Sequence, residues 1–266
     1  MDYIQISLTT QCNRHCEYCP ITQYRNVKPN WPINNNELIP FLTRSMMEDD
    51  INPLDTVVEL TGGEPALYPD LDMLIGFLST SGFHVLIKTN GDLPISQSDN
   101  VLRIAAFHEL NTPPKYFDIV LIIEDTPDFE SKFIYCVDNK IPFEVIKKDT
   151  TIGIEDSHGF VRTSFINPAG HNTCCQHDKA VENLNIDKTR DYGRIDNQLH
   201  IKWRNICPQC KAGIDAWKFL EYFPDLNIKT TNPLIDIGMQ INSMCESINS
   251  VVDNCCFDRC EILHPF

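Results

Sequence analysis

Three cysteines near the amino terminus have a spacing that suits a metal centre. Cys12, Cys16 and Cys19 form the pattern CxxxCxxC. Three thiolates on one short loop can hold three corners of a cubane iron–sulfur cluster, which leaves the fourth iron without a protein ligand. An iron with an open position can bind a small molecule, as a catalytic zinc does. The same spacing is compatible with a zinc site completed by His15 or by a distant cysteine.

A second motif, Gly62-Gly63-Glu64-Pro65, follows an apolar stretch at 56–60. Two glycines allow the backbone to approach a ligand closely, and the carboxylate of Glu64 can accept a hydrogen bond from an ammonium group. The motif is weak on its own, because turns often contain glycine and proline. Its position after a strand predicts that it lies beside the cysteine loop.

Alternating strands and helices organise the first two-thirds of the chain. The predicted strands are 4–8, 56–60, 84–89, 117–123, 143–146 and 160–165. Helices are predicted around 38–46 and 71–78, where apolar residues recur at helical spacing. This order indicates an α/β fold with a parallel sheet, either a full or partial barrel or an open doubly wound sheet. In each case the functional groups belong at the carboxyl ends of the strands.

Composition limits the classes of function. The formal net charge is −15, which disfavours nucleic acid as a partner. The twelve cysteines occur without a visible signal peptide, which predicts a reducing compartment and a cytoplasmic location rather than a secreted disulfide scaffold. No apolar run is long enough to cross a bilayer, so no membrane association is expected.

Taken together, the two motifs resemble those of the radical S-adenosylmethionine (radical SAM) superfamily. That family has CxxxCxφC after the first strand, with an aromatic φ that is Tyr18 here, and GGE[P] after the second. The resemblance covers roughly residues 4–167 and implies a partial (β/α)6 TIM-type barrel. It also implies that Cys12, Cys16 and Cys19 ligate a [4Fe–4S] cluster whose unique iron binds the amino and carboxylate groups of S-adenosylmethionine (AdoMet).

The resemblance further implies the surroundings of AdoMet. The segment from Gly62 to Glu64 would receive its amino group, with Pro65 completing the motif, and Tyr18 would lie near its adenine. Replacing Gly63 is then expected to weaken AdoMet binding without loss of iron. Thr89 and Asn90, at the tip of the third predicted strand, and Glu124, at the end of the fourth, are candidate polar contacts to AdoMet. Each of these three is equally compatible with an ordinary turn or cap residue.

The last third of the chain is rich in cysteine. We predict a barrel domain at 1–170 and a cysteine-rich region at 171–266 that resembles the SPASM or twitch extensions of the family, which bind auxiliary [4Fe–4S] clusters. One auxiliary cluster is favoured over two clusters or a zinc site. Cys136 falls on one helical face with Phe129 and Phe133 and is predicted to be a buried thiol. The candidate auxiliary ligands are Cys174, Cys175, Cys207, Cys210, Cys256 and Cys260.

The function implied is that of an oxidoreductase or maturase. It would cleave AdoMet reductively to a 5′-deoxyadenosyl radical and take hydrogen from a peptide or a small metabolite. A flavodoxin- or ferredoxin-type protein would donate the electron, and the auxiliary cluster would support net oxidation or bond formation. Two other enzyme classes remain open, a glycyl-radical-enzyme activase and a nucleobase-modifying enzyme. A zinc or iron–sulfur interaction module is the non-enzyme alternative.

Overall fold

The fold was analysed in a computed structural model. It describes residues 1–16, 33–48, 50–98, 100–124, 126–146, 162–167, 170–172, 194–195, 198–199, 204–205 and 219–223. Tyr18, Cys19 and all six candidate auxiliary ligands lie outside these ranges. None of the helices in the described part of the chain has the length and apolarity needed to span a membrane.

A parallel sheet forms the centre of the molecule. Its parallel strands are β1 (Asp2–Ser7), β2 (Thr56–Thr61), β3 (His84–Thr89), β4 (Val101–Ala106), β5 (Ile119–Ile123), β6 (Phe143–Ile146) and β7 (Arg162–Asn167). All six predicted strands are confirmed, with ends shifted by up to two residues. The carboxyl ends of these strands share one edge of the sheet because the strands are parallel.

Strand β4 was missed by the sequence analysis. Its sequence, VLRIAA, has the charged residue Arg103 near its centre. That charge interrupts the apolar run from which a buried strand would otherwise be predicted. The side chain of Arg103 is 8% exposed and pairs with Asp118 just before β5, at 2.6 Å between Nη2 and Oδ1. The charge is therefore neutralised at the surface of the sheet, and the strand can be buried.

The strand order distinguishes a barrel from a doubly wound sheet. The path runs β7-β1-β2-β3-β4-β5-β6, so the strands from β1 to β6 follow the chain without the reversal that defines a doubly wound fold. Within the described residues β6 and β7 are the two ends of the parallel path and do not pair with each other. The predicted partial TIM-type barrel is thus confirmed, with seven parallel strands rather than six.

Helices cover the outer face of the sheet. They are α1 (Asn35–Met47), α2 (Leu71–Thr80) and α3 (Phe129–Asp138). Asn34 caps α1 by accepting a hydrogen bond from the amide of Asn36, as the asparagine-rich stretch before it predicts. Leu38 and Phe41 of α1 and Leu74 of α2 are buried against Val58 of β2 in one core cluster. The two predicted helices are confirmed by these contacts.

Part of the predicted C-terminal region joins the barrel. The strands β8 (Gly170–Asn172) and β11 (Arg204–Asn205) pair antiparallel with β7, and β9 (Arg194–Ile195) pairs with β10 (Gln198–Leu199). Phe219, Leu220 and Phe223 pack against Tyr3 and Val57 on the inner face of the sheet. The segment 219–223 therefore fills the barrel near the amino ends of its strands, and the carboxyl ends remain for the functional site.

Candidate functional site

The cysteine loop leaves the carboxyl end of β1. Cys12 and Cys16 are both partly exposed and form no disulfide. The amide of Arg14 donates a hydrogen bond to Sγ of Cys12 at 3.4 Å. His15, named above as a possible zinc ligand, is exposed on the same loop. The two described cysteines thus occupy the edge of the sheet that the sequence predicts.

Gly62 and Gly63 hold the second loop against the cysteine loop. The amide of Gly63 donates to the carbonyl of Thr9, and that of Glu64 donates to the carbonyl of Gln11, both at 2.7 Å. A Cβ on Gly63 would lie 2.1 Å from the Gln11 carbonyl oxygen, and one on Gly62 would lie 2.6 Å from that of Thr9. The two glycines therefore allow a close approach to the cysteine loop itself, and their approach to AdoMet stays a prediction.

Glu64 links the second loop to the third. Its side chain is fully buried and its carboxylate accepts from the Oγ1 of Thr89 at 2.6 Å, from the amide of Asn90 at 2.7 Å and from the amide of Ala66 at 3.0 Å. Burial raises the pKa of this carboxyl, and the three hydrogen bonds oppose that shift. Pro65 follows in a short 3-10 turn, Pro65–Leu67. The carboxylate predicted to receive an ammonium group is already held by three donors from the protein.

A polar network joins the cysteine loop to the loop after β3. Asn90 donates from Nδ2 to Oδ1 of Asn13 at 2.7 Å, and the same nitrogen lies 4.0 Å from Sγ of Cys12. Asn13 in turn donates to Asp92 at 3.0 Å. Arg14 donates to both carboxylate oxygens of Asp92, from Nε at 2.8 Å and from Nη2 at 2.6 Å. Of these residues, sequence analysis singled out only Cys12 and Asn90.

Two further side chains extend the same edge of the sheet. Glu124, predicted as a polar contact, is half-buried directly after β5, where its amide donates to the carbonyl of Ile146. His108, which was not predicted, follows β4. Burial, with the nearby charges of Arg14 and Lys132, lowers the pKa of His108 to about 4. The imidazole is therefore neutral at neutral pH.

An ion pair lies on the inner wall below these loops. Glu59 of β2 is fully buried, accepts a hydrogen bond from Nε2 of Gln5 at 2.6 Å and lies 3.1 Å from Nζ of Lys88. The ammonium of Lys88 compensates a carboxylate that has no contact with solvent. This pair fixes polar groups inside the barrel, below the loops that carry Cys12 and Glu64.

Of the remaining cysteines, Cys136 lies within the described residues and the others lie outside them. Cys136 is fully buried within α3, and burial raises the pKa of its thiol, so the predicted core thiol is confirmed. The auxiliary candidates lie outside the described residues and stay predictions. Within the described ranges no group of three His, Cys, Asp or Glu side chains is placed to bind a metal ion. Cys19, the third ligand expected for the N-terminal centre, also lies outside those ranges.

The donor set on the cysteine loop fits an iron–sulfur cluster. Two thiols come from one loop at the spacing that cubane clusters use, and N–H groups of Arg14 and Asn90 approach Sγ of Cys12. Hydrogen bonds to cluster sulfurs are typical of such centres. The described part of the loop therefore meets the chemical requirements of the group implied by its sequence.

Residues 6–126 match the family described as the radical SAM superfamily. Over just under half of its length, the chain is therefore similar to a radical SAM domain. The match runs from the first strand to the turn after β5, so it includes the three loops that interlock at the carboxyl edge of the sheet. Membership of that family would imply a [4Fe–4S] cluster and AdoMet as cofactors.

The same part of the chain is similar to several curated proteins. It is 31% identical to GTP 3′,8-cyclase of Helicobacter pylori, over 40% of this chain and 38% of that protein. It is 37% identical to GTP 3′,8-cyclase of Nautilia profundicola, over 34% of this chain and 28% of that protein. It is 32% identical to molybdenum cofactor biosynthesis protein 1 of Homo sapiens, over 34% of this chain and 14% of that protein. The match thus spans less than two-fifths of the length of each of these relatives.

Among solved structures, SuiB of Streptococcus suis is similar at 12% identity. The comparison covers 71% of this chain and 62% of SuiB, with a TM-score of 0.45. That score is too low to establish a shared fold.

Proposed function

We propose that this protein is a radical SAM enzyme. It would cleave AdoMet reductively and transfer a hydrogen atom from a small metabolite or a peptide to the resulting radical. Oxidation or bond formation on that substrate would follow. Its class would be that of an oxidoreductase or maturase.

The observation that carries this proposal is the interlocking of three loops at one edge of the barrel. The loop of Cys12 and Cys16, the glycine loop and the loop after β3 are joined through Gly63, Glu64 and Asn90. A cluster on the first loop would thus lie beside the backbone of the second and the side chains of the third. That juxtaposition is what AdoMet would need in order to be held next to an iron with an open site.

Different residues of the chain would bind the cluster, hold the loops together and contact AdoMet. Cys12, Cys16 and Cys19 would hold the cluster, while Glu64 would keep the second and third loops together through Thr89 and Asn90. When bound, the cluster supplies the electron that splits AdoMet into methionine and a 5′-deoxyadenosyl radical. Tyr18, Asn90 and Glu124 are the proposed contacts to the remainder of AdoMet. The barrel would exclude water from the radical.

The C-terminal cysteines would hold an auxiliary cluster. Eight of the twelve cysteines lie between Cys174 and Cys260, which is more than one cluster requires. Such a cluster could accept the electron left on a substrate radical, so that the net reaction is a two-electron oxidation. A flavodoxin- or ferredoxin-type donor is proposed for the N-terminal cluster.

One substrate class has specific support among the small metabolites. The curated relatives in H. pylori and N. profundicola are named GTP 3′,8-cyclase, which favours a nucleoside triphosphate as the first compound to test. Acceleration of 5′-deoxyadenosine release by GTP, together with a cyclised nucleotide product, would support this candidate. If GTP has no effect while short peptides accelerate the release, the peptide alternative is favoured.

The decisive experiment is anaerobic reconstitution with iron and sulfide, followed by a strong reductant and AdoMet. We expect release of 5′-deoxyadenosine even without substrate, measured by chromatography and mass spectrometry. Cys16→Ala should abolish this release, because two thiolates cannot hold a cubane with one open iron. Cys136→Ala is the matched control, since it removes a buried thiol of α3 that packs against Val120 and Ile122 of β5. Full turnover by Cys16→Ala would rule out the proposed function.

A further inference from the structure

One ion pair of the polar network lies beside the cysteine loop. Arg14 lies between Cys12 and Cys16, and Asp92 lies on the loop after β3. The guanidinium and the carboxylate form two parallel hydrogen bonds, at 2.6 and 2.8 Å. We refer to Arg14 and Asp92 as the loop clasp.

The clasp is partly shielded from solvent. The side chain of Arg14 is 13% exposed and that of Asp92 is 28% exposed. Charges in such positions are screened by salt less than charges on the open surface. The bidentate geometry also fixes the guanidinium relative to the loop, because a planar fork is held at two points. Both charges therefore stand at defined positions beside the loop that carries Cys12 and Cys16.

A fixed charge affects the reduction of a cluster on this loop. Reduction adds one electron and hence one negative charge to the cluster, with no proton required. A nearby positive charge stabilises the reduced state, and a nearby negative charge destabilises it. Arg14 and Asp92 should therefore act on the reduction potential in opposite directions.

We infer that Arg14 and Asp92 are positioning residues whose paired charges set the reduction potential of the cluster held by the cysteine loop. The inference rests on the proposed function, because it requires that the loop bind the cluster. It assigns the clasp a role in electron transfer from the external donor, in addition to holding two loops together.

The test is an anaerobic redox titration of the reconstituted protein, followed by electron paramagnetic resonance. The signal that changes on addition of AdoMet identifies the cluster on the cysteine loop. Arg14→Gln should lower its reduction potential and Asp92→Asn should raise it. Each substitution should change the equilibrium constant for reduction by roughly tenfold, which is about 59 mV for one electron.

Three further variants separate charge from structure. The double variant Arg14→Gln with Asp92→Asn should return the potential close to that of the wild type, since its net charge is unchanged. Arg14→Lys should behave like the wild type because it keeps the charge without the fork. Asp118→Asn is the matched control, since Asp118 forms the same bidentate contact with Arg103 just before β5, away from the cysteine loop.

The outcomes distinguish this inference from the proposed function. If both single variants shift the potential in the same direction, or if neither shifts it, the clasp is only structural and the inference is wrong. The same conclusion follows if Arg14→Lys and Arg14→Gln shift it equally. A wild-type protein that takes up no iron would instead contradict the proposed function.

Discussion

Gly63 and Gln11 are in contact through their backbones, on two loops that follow neighbouring strands. A Cβ added to Gly63 would lie 2.1 Å from the carbonyl oxygen of Gln11, closer than any stable contact. The adjacent amide of Glu64 donates to that same oxygen at 2.7 Å. This close approach requires glycine at position 63. It allows the glycine loop to support the cysteine loop at Gln11, the residue before Cys12.

The first prediction concerns Gly63→Ala. The added methyl group must push the cysteine loop away from β2, so we expect lower iron content together with weaker AdoMet binding. Overpacking of this kind should also destabilise the apoprotein by about 1–3 kcal/mol. Iron analysis after reconstitution and urea unfolding of the apoprotein measure the two effects. This differs from the expectation from sequence, in which iron would be retained.

Gly76→Ala is the control for that substitution. Gly76 lies within α2, and apart from its chain neighbours and the adjacent helix backbone no atom of the described residues lies within 4 Å of a Cβ built there. We expect this variant to be more stable than the wild type by about 0.5–1 kcal/mol, because alanine favours the helix. Normal iron content in Gly63→Ala would mean that the glycine loop does not support the cysteine loop.

A second prediction concerns the ion pair on the inner wall. Lys88→Met leaves the fully buried carboxylate of Glu59 without its cation, with Gln5 as its hydrogen-bond donor among the described residues. Breaking a buried pair in this way should destabilise the apoprotein by about 3 kcal/mol. Adding Glu59→Gln to Lys88→Met should recover part of that loss, because the unpaired charge is then removed.

Urea unfolding of the single and double variants measures this coupling. Lys115→Met is the matched control, since Lys115 is exposed and its replacement should change the stability by less than about 0.5 kcal/mol. Strictly additive effects of Lys88→Met and Glu59→Gln would show that the pair does not act as a unit.

The third prediction is a dependence of stability on pH. The folded protein lowers the pKa of His108 to about 4 from its ordinary value of 6.5. As the pH falls through this range the unfolded chain binds a proton that the folded chain does not, so stability is lost. Relative to His108→Gln, the wild type should lose about 3 kcal/mol between pH 6.5 and pH 4. Parallel pH profiles for the two proteins would contradict the prediction.

The sequence was sufficient to predict six of the seven parallel strands and the edge of the sheet where the motifs meet. Periodicity and motif position depend on neighbouring residues, so they can be read along the chain. The clasp could not be predicted, because Arg14 and Asp92 are 78 positions apart and only the register of β1, β2 and β3 brings them together. The partner of Gly63 was missed for the same reason, since a backbone contact between loops leaves no pattern in side-chain types.

The last prediction concerns the C-terminal region. If Cys207 and Cys210 ligate an auxiliary cluster, replacing both with alanine should remove roughly four iron atoms per chain while the N-terminal cluster remains. Release of 5′-deoxyadenosine should continue, because the cluster on the cysteine loop has its own ligands. Product formation should fail, because the substrate radical has lost its electron acceptor. Loss of zinc with unchanged iron would indicate a structural zinc site, and unchanged amounts of both metals would exclude these two cysteines as ligands.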